Sequence, residues 1–168
     1  MTVQPSRPGG NLSACWSRLD RAGEHIAELR SLHAELLLEQ REYVARNTKA
    51  GRTASGLFIV TDLGERHVPR RVGLLVGDTV QDLRSALDYL VFALSGGQRG
   101  TQFPIDDRES DFLVHRDGNG KRSPLLAGLD DATKDRIREL QPFADSKKNR
   151  WLAHLRDLSN IDKHRHLN

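Results

Sequence analysis

Residues Asn160-Ile-Asp-Lys-His-Arg-His-Leu-Asn168 gather an amide, a carboxylate, an ammonium, a guanidinium and two imidazoles in one short stretch. Histidine titrates near neutral pH and can move protons. The cations can stabilise negative charge as it develops. Trp151, Leu152, Leu155, Leu158 and Ile161 recur at helical spacing, so the stretch continues a helix that starts near Lys147. On that helix Arg156 or Asp157, Asn160 and His164 fall near one stripe, at steps of three and four. The apolar seam, carried onward, puts Asp162 and Arg165 at core positions. Buried charges are costly unless paired. Either this helix end frays into solvent or the two residues find partners. Arg84 and Asp88, four apart on an earlier helix and so able to pair with each other on one face, are the expected ones. Arg84, Asp88, Asp162 and Lys163 then form a polar network between helices.

Other chemistries find less support. His164 and His166 are two apart and diverge on a helix, and no HExxH spacing is present, so no metal site is expected. The single cysteine, Cys15, lies in an amphipathic helix and excludes an intramolecular disulfide. There is no GxSxG, and Gly73-Leu-Leu-Val-Gly-Asp is not a phosphate loop. No cofactor is implied.

The elements that must position these residues follow from periodicity. Residues 1–10 read as a disordered leader, and 11–168 as one domain. Asn11 or Ser13 caps a long amphipathic helix over about 12–39, with Trp16, Leu19, Ala22, Ile26, Leu29, Leu32 or His33, and Leu36 on its apolar face. Glu42–Asn47 and Gly56–Leu63 read as two strands joined by a turn through Gly51, a hairpin within about 41–69. A second long helix over about 71–95 has a heptad seam of Val76, Val80, Leu83, Leu87, Leu90 and Leu94, and Ser95-Gly-Gly ends it. Residues 98–124 form a polar stretch with one short extended piece, Thr101-Gln-Phe-Pro-Ile. Leu129–Leu140 is a third helix with Asp130 or Asp131 at its start, and Asp145 or Ser146 caps the fourth. The fold expected is mainly α, an antiparallel helical bundle with a β-hairpin inserted between the first two long helices.

Composition agrees with this. Of the 168 residues 29% are charged and only 5% aromatic, which suits helices with solvated faces better than a large β-sandwich. A net charge of +3 and a pI near 9.3 permit nucleic-acid contact without demanding it. With one cysteine, no signal-peptide pattern and no spanning apolar run, the expected compartment is the cytoplasm, with no membrane partner.

Three segments carry a resemblance. Gly77-Asp-Thr-Val-Gln-Asp-Leu-Arg-Ser-Ala-Leu-Asp-Tyr-Leu, Thr101-Gln-Phe-Pro-Ile and Leu155-Arg-Asp-Leu-Ser-Asn-Ile-Asp-Lys-His-Arg resemble a family of uncharacterised bacterial and phage proteins. In that family an "LRSALDHL" helix, a "QFPI" turn and an "NIDKHR" helix recur in this order. More distantly the pattern is similar to HEPN domains, helical bundles that are often dimeric and in many cases metal-independent ribonucleases of toxin or phage-defence systems. Their Arg-Asn-x-x-x-His motif aligns with Ser159-Asn160-Ile-Asp-Lys-His164, where serine replaces the arginine. The resemblance implies RNA as partner and a homodimer. It implies His164 as general base or acid, Asn160 orienting the scissile phosphate, and Arg165, Lys163 or Arg84 stabilising the phosphorane. The alternative expectation is a non-enzymatic interaction or dimerisation module whose polar network is structural.

Overall fold

A computed structural model describes residues 12–53, 56–61, 68–121 and 123–165, with 52–53, 56–58, 60–61 and 162–165 described in their backbone only. The expected leader, 1–10, lies outside the described residues. The order is α1 (Ser13–Asn47), β1 (Thr48–Thr53), β2 (Gly56–Thr61), α2 (Arg70–Leu94), α3 (Glu109–Asp117), α4 (Asp131–Glu139) and α5 (Arg150–Arg165). The protein is mainly helical, and its two strands form a hairpin between α1 and α2, as the sequence predicts. The described residues divide into two compact units. One is Glu24–Val76; the other joins the residues up to Gly23 with those from Gly77 onward.

The Glu24–Val76 unit holds the hairpin. Its strands pair antiparallel, from Thr48 opposite Thr61 to Thr53 opposite Gly56. The first strand is displaced from its expected place, because Glu42–Asn47 is the last part of α1. Leu29, Leu32, Leu36, Gln40, Val44 and Asn47 form a half-buried stripe at steps of three and four, and that helical period overrides the β preference of Tyr43 and Val44. The final carbonyls are taken up locally. Arg46 Nε donates to Glu42 O at 3.2 Å, Asn47 Nδ2 to Tyr43 O at 2.8 Å and Thr48 Oγ1 to Val44 O at 2.7 Å. An ion pair between Arg71 and Glu28 ties α2 to α1 within this unit.

In the other unit α2 ends where Ser95-Gly-Gly predicts. Gly97 N–H donates to Phe92 O at 2.9 Å and Gly96 N–H to Ala93 O at 3.2 Å, with Gly96 at φ 71°. That is a Schellman cap, which only glycine adopts without strain. The expected seam of α2 is rotated, however. Val76 and Leu94 are exposed, while Leu75, Thr79, Val80, Asp82, Ala86 and Val91 are the buried residues. The cause is Asp82. It is 3% exposed, accepts from Arg18 Nη1 at 2.7 Å and lies 3.5 Å from Arg21 Nε on α1. The bond to Asp82 raises the Arg18 pKa above its ordinary value. Two cations on α1 hold this polar side chain inward; Val80 stays buried as expected, while Leu75, Thr79, Asp82 and Ala86 are buried one position before seam residues and Val91 one after Leu90.

Helix α3 lies inside the stretch expected to be irregular. Glu109 and Asp111 in its first turn and His115 and Arg116 in its last complement the helix dipole. Its Phe112 is fully buried. Helix α4 begins as expected at Asp130, whose carboxylate accepts from Thr133 N–H at 2.8 Å and from Thr133 Oγ1 at 2.9 Å. Those bonds hold the Asp130 pKa below its ordinary value. A depressed carboxylate contributes stability above its unfolded pKa and loses it as pH falls through the folded one. Asp130→Ala should therefore lower the melting temperature at neutral pH and leave it little changed in strong acid, as a thermal melt at each pH will read.

The core of this unit collects Val91 of α2, Phe112 of α3, Ile137 of α4 and Leu152 of α5 around Phe103, Ile105, Leu126 and Leu129. Phe112 and Phe143 meet tilted, with ring centroids 5.8 Å apart. Thus the centre of a helical unit is filled by a segment, Thr101–Asp106, that belongs to no helix.

Candidate functional site

In Thr101-Gln-Phe-Pro-Ile-Asp every residue but Gln102 is buried. A buried extended segment must satisfy its main-chain donors and acceptors. Among the described residues it pairs with no strand. Side chains from the surrounding helices take the strand's place.

Arg84 and Asp88 of α2 form the first clamp. Asp88 Oδ1 accepts from Phe103 N–H at 3.0 Å, Arg84 Nη2 donates to Phe103 O at 2.7 Å, and Arg84 Nη2 and Asp88 Oδ1 are themselves 3.0 Å apart. One residue's donor and acceptor are thus closed by an i,i+4 ion pair. Gln141, fully buried just after α4, forms the second. Its Nε2 donates to Pro104 O at 3.0 Å and to Ile137 O at 3.1 Å, and its Oε1 accepts from Asp106 N–H at 2.9 Å. Asn149, 3% exposed, braces the same turn: Nδ2 donates to Glu139 O at 2.8 Å and to Gln141 O at 3.1 Å. Arg156 of α5 is the third. Its Nη1 donates to Ile105 O at 3.4 Å and lies 2.8 Å from Asp107 Oδ2, while Nη2 lies 2.9 Å from Asp157 Oδ1. Burial alone would lower the Arg156 pKa; its bonds to Asp157 and Asp107 outweigh that and raise it. Finally His115 Nδ1 lies 2.9 Å from Asp106 Oδ2, and Thr101 Oγ1 donates to Gln98 O at 2.8 Å.

The expected pairing of Arg84 with Asp88 is present, and its further partner is the main chain of Phe103. Asn160 is exposed on α5. Asp162, Lys163, His164 and Arg165 form the last backbone turn of α5; their side chains, and so their pairing with Arg84 or Asp88, lie outside the described residues. The three motif segments of the sequence do converge, because Arg84, Asp88 and Arg156 all hold the Thr101–Ile105 piece. Gln141 and Asn149 were not singled out in the sequence. Their signal was weak: Gln141 beside Pro142 reads as a helix stop, and Asn149 between Lys148 and Arg150 reads as solvated, neither as a buried anchor.

Beside Arg156 a shallow groove of about 610 Å³ opens, lined by Asp107, Pro142, Phe143, Lys147, Arg150 and Ala153 among others. The turn before α5 is fixed by Asp145, whose carboxylate accepts from Lys147 N–H at 3.1 Å and Lys148 N–H at 2.9 Å. Among the described residues no group of three or more His, Cys, Asp or Glu side chains could hold a metal ion. Nor, among them, is any helix long and apolar enough to cross a membrane. Cys15 is buried, and burial pushes its thiol pKa up, away from reactivity. No family model, no curated protein and no solved structure matches the chain.

Proposed function

We propose that the chain is a non-enzymatic interaction module of the cytoplasm, in which the polar side chains of Arg84, Asp88 and Arg156 are structural. The observation that carries this is the Arg84–Asp88–Phe103 triangle. Both side chains are engaged with each other and with one residue's main chain, so each has a structural role in holding Phe103. Arg156 is likewise occupied, by Ile105 O, Asp107 and Asp157. Helices α2 and α5 then serve to fix the Thr101–Asp106 segment and to present their outer faces.

The deciding experiment is incubation of the full chain with single-stranded RNA in chelator. No cleavage above buffer is expected, and His164→Ala should make no difference. Metal-free cleavage that disappears in a normally folded His164→Ala would replace the module by the HEPN-like ribonuclease, with His164 as base or acid, Asn160 orienting the phosphate and Arg165 stabilising the phosphorane.

A further inference from the structure

We infer that the start of α5 is a binding surface for single-stranded nucleic acid, formed by Lys147, Lys148 and Arg150 beside the groove over Phe143 and by Trp151 on the adjoining face of the helix. The inference names the partner of the proposed module and rests on that reading.

The charges at this place do not cancel. Lys147, Lys148 and Arg150 are exposed, and no ion pair engages any of them among the described residues. Asp107 and Asp157 share Arg156, and Asp145 accepts from the amides of Lys147 and Lys148; in formal charge the four cations Lys147, Lys148, Arg150 and Arg156 outnumber these three carboxylates by one. Cations at a helix start oppose the helix dipole, so fold stability gives no reason for three of them here. An external polyanion does.

The same surface offers a ring. Trp151 is 53% exposed, a large apolar area for a side chain usually well buried. At about 100° per residue, the order around α5 from the groove is Ala153, Arg150, His154, Trp151. His154 is exposed as well. Trp151 stands about 100° around α5 from Arg150 and about 160° from Ala153, so the indole flanks the cations on the face next to the groove rather than lining it. A charged track for phosphates beside an aromatic platform for a base is how single strands are held without sequence readout. An acidic peptide would use the cations but has no base to stack on Trp151, so the pairing of features favours the nucleic acid.

The test is fluorescence anisotropy of labelled dodecamers of uridylate and of thymidylate, titrated with the full chain, together with tryptophan quenching in a Trp16→Phe background. Binding should weaken with salt, with a log–log slope of about −2 for three phosphates contacted on a single strand. The triple reversal Lys147→Glu/Lys148→Glu/Arg150→Glu should raise Kd at least about tenfold. Trp151→Ala should raise it about tenfold and Trp151→Phe much less, because stacking survives in the phenyl ring. All four residues are exposed, so circular dichroism should be unchanged. Binding of the RNA but not the DNA strand, or of both, distinguishes the sources of the same chemistry. Absence of binding, equal competition by poly-glutamate, or indifference to both variants would overturn the inference while leaving the module reading intact. Cleavage of the uridylate strand would instead sink the module reading, independently of how tightly the strand binds.

Discussion

Gln141→Ala is expected to destabilise the protein by about 3–5 kcal/mol, read as a lower urea midpoint with an unchanged slope. Gln141 is fully buried and spans the Thr101–Asp106 segment, accepting from Asp106 N–H and donating to Pro104 O. Truncation leaves both of those main-chain groups without that partner, each costing about 1–3 kcal/mol, and opens a small cavity. Its third bond matters less, since Ile137 O also accepts from Leu140 N–H at 3.2 Å. Gln141→Leu separates the causes. It restores most of the volume and none of the bonds, so most of the loss, about 2–4 kcal/mol, should persist. A leucine variant as stable as wild type would mean that Gln141 acts by filling space and that the segment does not depend on its amide.

Where the sequence was legible, one physical signal dominated locally. Glycine after an apolar run announced the Schellman cap of α2, and an acid ahead of Thr133 announced the start of α4. The Arg84–Asp88 pair followed from spacing alone. What could not be read was set by tertiary context. Asp82 is turned inward by Arg18 and Arg21, which are more than sixty positions away in the chain, and α2's seam rotates with it. Helix α3 is one turn of acids, one buried Phe112 and one turn of bases, too short to show a period. The Glu42–Asn47 stretch carried β-prone residues, but its burial pattern extends the stripe of α1. For the site the difficulty was of another kind. The chemistry of Arg84, Asp88 and Arg156 was visible as residue types. That their ligand is the protein's own main chain follows only once Phe103 and Ile105 are known to be buried with no neighbouring strand among the described residues.

Asp88→Ala should cost about 2–4 kcal/mol, the second large effect expected in this unit. It removes a charge-assisted acceptor from Phe103 N–H, whose residue is 1% exposed, and it strips Arg84 of its carboxylate. Arg84→Ala should cost a similar amount by the reverse route, leaving Phe103 O without its donor. The carboxylate is about one-third exposed, so the ion pair itself is screened and contributes the smaller share. Asp88→Asn keeps an oxygen for Phe103 N–H and loses only the charge; about 1 kcal/mol is expected. The double variant Arg84→Ala/Asp88→Ala should cost less than the sum of the two singles by about 1–2 kcal/mol, because each single already breaks the shared triangle. Urea unfolding of the four variants measures the cycle. Strict additivity would show that the two side chains act on Phe103 separately. If instead both singles left stability untouched, the triangle would not be holding the segment, and Arg84 and Asp88 would again be free to serve a ligand.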